Sequence, residues 1–187
     1  DRSVSRGLGD VYKRQLIFPI MSLMALLATP LIVVLLTEKW LPCVILLQIL
    51  CFARMMTPLS AINMNVLNAI GRPDLFMKVD FIKIPIGILS LIITIPMGVT
   101  AVVVGDLITT FIAFFINAYY PGKILGYGAW QQIKAFKPII LAILLMSLVV
   151  LFVRIFITNY VLMLIVGSLL GGVTYLSLIH ISEPTRH

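Results

Sequence analysis

Six apolar stretches, separated by short polar punctuation, constrain this chain more than any other feature. They cover residues 16–37, 43 to about 70, 81 to about 95, 99–119, 138–157 and 160–175. A helix rises about 1.5 Å per residue, so roughly 20 apolar residues cross the ~30 Å hydrocarbon core of a bilayer. A soluble domain could not hide so much apolar surface. With 61% hydrophobic and 11% charged residues and a mean hydropathy of +1.13, the chain belongs in a membrane. The expected fold class is all-α: a polytopic membrane helical bundle of about six transmembrane helices.

The punctuation has physical content. Glu38, Lys39, Trp40 and Pro42 form a turn, with Trp40 at the depth where amphipathic rings anchor. Gly71, Arg72, Pro73 and Asp74 stop the second helix. Leu75–Lys83 mixes apolar residues with Lys78, Asp80 and Lys83 and suits an interfacial lead-in to the third span, which Pro96, Met97 and Gly98 end. Tyr119–Lys137 is expected as a loop, within which Trp130–Phe136 forms a short amphipathic helix on the membrane surface. Cys43 and Cys51 lie eight residues apart on one apolar helix, a spacing that suits neither a metal nor a disulfide.

The two ends stand apart. Ser5–Gln15 (SRGLGDVYKRQ) and Leu176–Arg186 (LSLIHISEPTR) can be encoded by strings that are in-frame reverse complements of one another, and one more codon extends the match to Val4 and His187. That string resembles the transposon-end adapter of sequencing libraries. Residues 1–15 and 176–187 are therefore expected to be adapter-derived, leaving 16–175 as the natural segment, a fragment of a longer protein. On this view Arg2, Arg6, Lys13 and Arg14 are no nucleic-acid arm, and His180 and His187 are no ligands. The formal charge of +7 falls to nine basic residues against four acidic ones.

The second stretch carries the chemistry. Arg54 sits about eleven residues, or ~17 Å, inside it, where a charge is tolerated only against protein or water. At about 100° per residue, Thr57, Pro58, Ala61, Asn65 and Asn68 fall within ~60° of Arg54, so one face is polar; Ser60 and Asn63 fall off this seam. On the fourth stretch Thr110, Ala113 and Asn117 lie within ~40° of Asp106. Arg54 and Asp106 come to similar depths, which permits a charge pair. The seams suit the lining of a path for an anionic, hydroxyl-rich cargo, or equally an Arg paired inside the bundle with Asn and Thr as interhelical glue.

Basic residues orient the bundle. Arg72, Lys78 and Lys83 lie between the second and third stretches and Lys123, Lys134 and Lys137 between the fourth and fifth, against Lys39 and Arg154 on the opposite side. The positive-inside rule then makes 71–83 and 119–137 cytoplasmic.

Three runs, TEKWLPCVILLQILC (37–51), INMNVLNAIGRPDLF (62–76) and FINAYYPGKILGYG (115–128), carry a family likeness. They resemble the C-terminal half of Wzx-type polysaccharide and lipopolysaccharide (O-antigen) flippases, of the multidrug and oligosaccharidyl-lipid exporter superfamily. The resemblance covers essentially all of residues 16–175. It implies a two-lobe exporter of a dozen or more helices around a cationic cavity, in the bacterial inner membrane. The cargo implied is an undecaprenyl-pyrophosphate-linked oligosaccharide, moved by alternating access and an ion gradient, without a cofactor or metal. It implies as partners the bilayer, the missing N-terminal half and other polysaccharide-assembly proteins, and no nucleic acid. Arg54, Thr57, Asn65, Asn68, Thr110 and Asn117 are then candidate substrate contacts. Asp106, a coupling or charge partner, departs from the uncharged polar residue expected in relatives.

Two other classes compete. A membrane enzyme of polysaccharide assembly needs a nucleophile, base or metal set, and the natural segment has no His, four carboxylates (Glu38, Asp74, Asp80, Asp106) and no HExxH. A drug exporter of the same superfamily would select cationic drugs, whereas a basic seam suits a pyrophosphate.

Overall fold

The computed structural model describes residues 16–182, and among them there are helices and no strands. In chain order they are α1 Leu16–Leu26, α2 Ala28–Leu36, α3 Cys43–Met55, α4 Thr57–Ala69, α5 Pro73–Thr94, α6 Val99–Leu125, α7 Ala129–Ala135, α8 Lys137–Phe156 and α9 Tyr160–Ser182. Short 3-10 helices over Glu38–Trp40 and Ile95–Met97 separate α2 from α3 and α5 from α6. Five helical segments are long and apolar enough to cross a membrane, α3 and α4 counting as one, and the bent α1–α2 pair would make a sixth. The chain is an all-α, multi-pass membrane bundle. Residues 1–15 and 183–187, most of the stretches expected to be adapter-derived, lie outside the described residues.

The helices sort into two compact units. One, Phe52–Ala135, holds the end of α3 with α4 to α7. Its core joins Met64 and Leu67 of α4 to Leu75 and Val79 of α5, with Ile116 and Tyr120 of α6 packed against them. The end of α4, the start of α5 and the end of α6 therefore meet at one end of this unit. The turn there is built as the sequence predicts. Gly71 takes φ +72°, its N–H donates to the Asn68 carbonyl at 3.1 Å, and the Arg72 N–H donates to the Leu67 carbonyl at 3.0 Å. This is the Schellman closure, which favours glycine because a Cβ is disfavoured at that φ. Pro73 then opens α5 at a position where no amide hydrogen is missed.

In the other unit, residues 16–51 and 136–182, α8 and α9 pair through a three-residue connection. Asn159 caps α9, its Oδ1 accepting from the amides of Val161 and Leu162 at 3.0 and 3.1 Å. Ala142, Met146 and Val150, spaced four apart on α8, form the buried stripe, against which Tyr175, Met163 and Leu27 pack.

Four expected boundaries are corrected. Residues 16–37 are not one straight helix: the chain bends by 70° between α1 and α2. Pro30 supplies the cause, since it has no N–H for the Leu26 carbonyl and its ring crowds that group. The Gln48 side-chain amide donates to the Ala25 carbonyl at 3.0 Å and so satisfies one group at the bend. Second, 75–83 is not a lead-in outside the third span but the first half of α5, which stays helical through its charges because Lys83 Nζ pairs with Asp80 Oδ1 one turn back at 2.7 Å. Third, α6 runs past Tyr119 and through Pro121 to Leu125, so the expected 119–137 loop shrinks to a tight turn followed by α7, the amphipathic helix the sequence predicts. Fourth, α9 continues beyond Tyr175 to Ser182 because the apolar run continues.

Much of the apolar surface remains open. On α5, Phe81, Ile92 and Ile95 just beyond it are about two-thirds exposed. Such surfaces are stable only where lipid or another protein surface covers them.

Candidate functional site

The second span is broken where its charge sits. Pro58 has no N–H to give the Arg54 carbonyl, so the helix divides at Met56, whose own N–H reaches back only three residues, to the Ala53 carbonyl at 3.2 Å. Arg54 therefore lies on the last turn of α3, with a backbone acceptor that lacks its usual helical donor.

Around this break the polar seam emerges on the open side of α4. Arg54, Thr57, Ala61, Asn65 and Asn68 are all exposed, and Pro58 is half-buried. Met55, Leu59, Asn63, Met64 and Leu67, on the other face, are buried. The helical phase read from sequence thus survives the break. Among the described residues, the side chains of Thr57, Asn65 and Asn68 make no hydrogen bond within the chain. Their amide and hydroxyl groups are free to meet another polar surface.

Arg54 and Asp106 are brought together. Arg54 Nη2 lies 2.7 Å from Asp106 Oδ2, with the two side chains 52% and 36% exposed. The contact is single, so the other N–H groups of the guanidinium remain available, and an anion could share them without displacing Asp106.

The α6 residues do not share one environment. Asp106 meets Arg54, whereas Thr110 lies in a groove between α5 and α6. Asn117 is 2% exposed, packed inside the unit, and its Oδ1 has no partner among the described residues. The groups of this seam thus occupy three places.

The sequence reading missed a second polar contact. Asn63 and Gln132, both 2% exposed, exchange amide hydrogen bonds: Gln132 Nε2 donates to Asn63 Oδ1 at 2.7 Å, and Asn63 Nδ2 donates to Gln132 Oε1 at 3.3 Å. Gln132 Nε2 also donates to the Tyr127 carbonyl at 3.2 Å. This ties α7 to the buried face of α4. One signal was present: an Asn about 180° from the seam, on the core face of a membrane helix, requires a buried polar partner. Among the described residues no group of three or more His, Cys, Asp or Glu is placed to hold a metal.

The chain is 28% identical to an uncharacterized membrane protein of Methanocaldococcus jannaschii. The match covers 97% of this chain but 37% of the relative, so the chain spans little more than a third of that protein's length. No family model matches the chain, and no solved structure matches it.

Proposed function

We propose that this chain is part of a membrane transporter that moves an undecaprenyl-pyrophosphate-linked oligosaccharide across the bacterial inner membrane for polysaccharide or lipopolysaccharide assembly. The observation that carries the reading is the exposed seam of Arg54, Thr57, Asn65 and Asn68 on a span whose other face is buried. A pyrophosphate suits a guanidinium with N–H groups to spare, and amides and hydroxyls suit sugar hydroxyls. Asp106 holds the guanidinium in place in the empty state and offsets its charge. The reading assigns no enzymatic step and no cofactor to the chain. In the orientation that goes with it, the end where α4, α5 and α6 meet is cytoplasmic, because Arg72, Lys78, Lys123 and Lys134 gather toward that end while the Ile95–Val99 end carries no basic residue.

The test is surface glycan display in a host lacking its own flippase, complemented with the full-length gene carrying single substitutions. Arg54→Lys should leave protein level unchanged and reduce display severalfold, because a point charge replaces the planar fork. Arg54→Gln should abolish display. Normal display from an Arg54→Gln protein present at wild-type level would overturn the reading, and export of cationic drugs in its place would assign the chain to the drug-exporting branch.

A further inference from the structure

A second polar position lies in the α5–α6 groove, away from the Arg54 seam. Lys83 is ten residues past the start of α5 at Pro73, about 15 Å along the helix, with ~21 Å still to run to Met97. It is inside the span rather than ahead of it, and its side chain is only 23% exposed. Its ammonium has three donors, of which Asp80 Oδ1 takes one at 2.7 Å. No other acceptor is recorded for it among the described residues. In a bilayer, a cation with unused donors is costly unless water, a carbonyl or a further anion completes its shell.

The surroundings provide room and a second donor. Lys83, Gly87, Thr110 and Ala113 line the groove, and a Cβ added at Gly87 would meet nothing within 4 Å. Thr109, beside it, spends its hydroxyl on the carbonyls of Gly105 and Asp106 at 2.9 and 3.1 Å. Thr94, Ser147, Ser168 and Thr174 likewise donate to the carbonyl four residues back. Thr110 makes no such bond among the described residues, so its hydroxyl remains free to donate into the groove. The flanking Ile86, Ile112 and Ile116 are apolar.

We infer that this groove binds a phosphate-bearing lipid, the phosphate oxygens on Lys83 Nζ with Thr110 Oγ1 as a further donor and the hydrocarbon chain along the isoleucines. Asp80 competes with the phosphate for the ammonium and keeps the empty site neutral. The inference stands apart from the flippase reading, since a phospholipid of the bilayer suffices as the ligand.

Native mass spectrometry of the full chain in neutral detergent, titrated with dioleoyl phosphatidylglycerol, farnesyl pyrophosphate and uncharged dioleoylglycerol, tests it. At least one phosphate lipid should bind and dioleoylglycerol should not. Lys83→Gln should weaken binding about tenfold or more, by loss of a charge-assisted contact. Thr110→Val should weaken it severalfold, Asp80→Asn should tighten it, and Arg54→Gln should leave phosphatidylglycerol binding unchanged. Binding of phosphatidylglycerol alone assigns the groove to a bilayer lipid, and binding of farnesyl pyrophosphate alone to a prenyl-linked cargo. Affinities unmoved by Lys83→Gln, or phosphatidylglycerol affinity lost instead in Arg54→Gln, would overturn the proposal. Should Lys83→Gln fail to fold, unchanged affinity in both Asp80→Asn and Thr110→Val would overturn it equally.

Discussion

The Asn63–Gln132 pair gives a prediction whose sign and asymmetry follow from the geometry. Asn63→Leu keeps the branched shape but removes two hydrogen bonds, at 2.7 and 3.3 Å, from a site where both partners are 2% exposed. Gln132 would then keep one partner, the Tyr127 carbonyl at 3.2 Å, for its Nε2, while its Oε1 would be orphaned. An unsatisfied buried acceptor together with the lost bonds costs about 2–3 kcal/mol. Gln132→Leu should cost more, about 3–4 kcal/mol, because both the donor and the acceptor of Asn63 lose their recorded partner. The double Leu variant replaces the pair by apolar contact and leaves the Tyr127 carbonyl without this donor, so it should lie only ~1 kcal/mol below the wild type. The expected coupling is thus several kcal/mol, far above the ~0.5 kcal/mol scatter of independent sites. Unfolding in mixed micelles of mild detergent and dodecyl sulfate, followed by the fluorescence of Trp130 on α7, reads all four corners of the cycle. Additive losses, or a smaller loss for Gln132→Leu than for Asn63→Leu, would refute the claim that the two amides satisfy one another.

Two further outcomes follow. A Cβ added at Gly105 would lie 2.8 Å from Ser90 Oγ and 2.9 Å from Thr94 Cγ2, so Gly105→Val should force α5 and α6 apart and cost about 1–3 kcal/mol in the same micelle assay; wild-type stability would show that the close approach is dispensable. In a background with Cys43 and Cys51 replaced, single cysteines at Lys39 and Gly98 of the full-length protein should react with an impermeant reagent from outside and those at Lys78 and Lys134 should not; the reverse pattern would overturn the orientation.

Where helices begin and end was legible wherever backbone chemistry is local. Gly71 closes α4 as read, and α8 was placed to within a residue at each end. The face of α4 was legible too, since helical phase depends on spacing alone, and it carried correctly across the break at Met56. Charges misled at α5, because Lys78, Asp80 and Lys83 suggest an interface when counted singly, whereas the Asp80–Lys83 pair keeps them within one continuous helix. Proline gave unequal guidance: Pro30 accompanies a 70° bend and Pro58 a break, while Pro85 and Pro121 sit inside α5 and α6. The bond each proline removes is identical. Whether the helix yields depends on what packs around it, which one stretch of chain does not encode.

The same division holds for the candidate site. Sequence by itself determined that this is a helical membrane protein and that Arg54 heads a polar face, because apolar length and helical phase are properties of neighbours along the chain. Tertiary structure decided that Arg54 meets Asp106, 52 residues on, that Asn63 meets Gln132, 69 residues on, and that Thr110 and Asn117 part company although they share a helix face. A polar group in an apolar interior requires a partner, but the requirement names only the chemistry of that partner, and packing between helices selects which of several suitable residues supplies it.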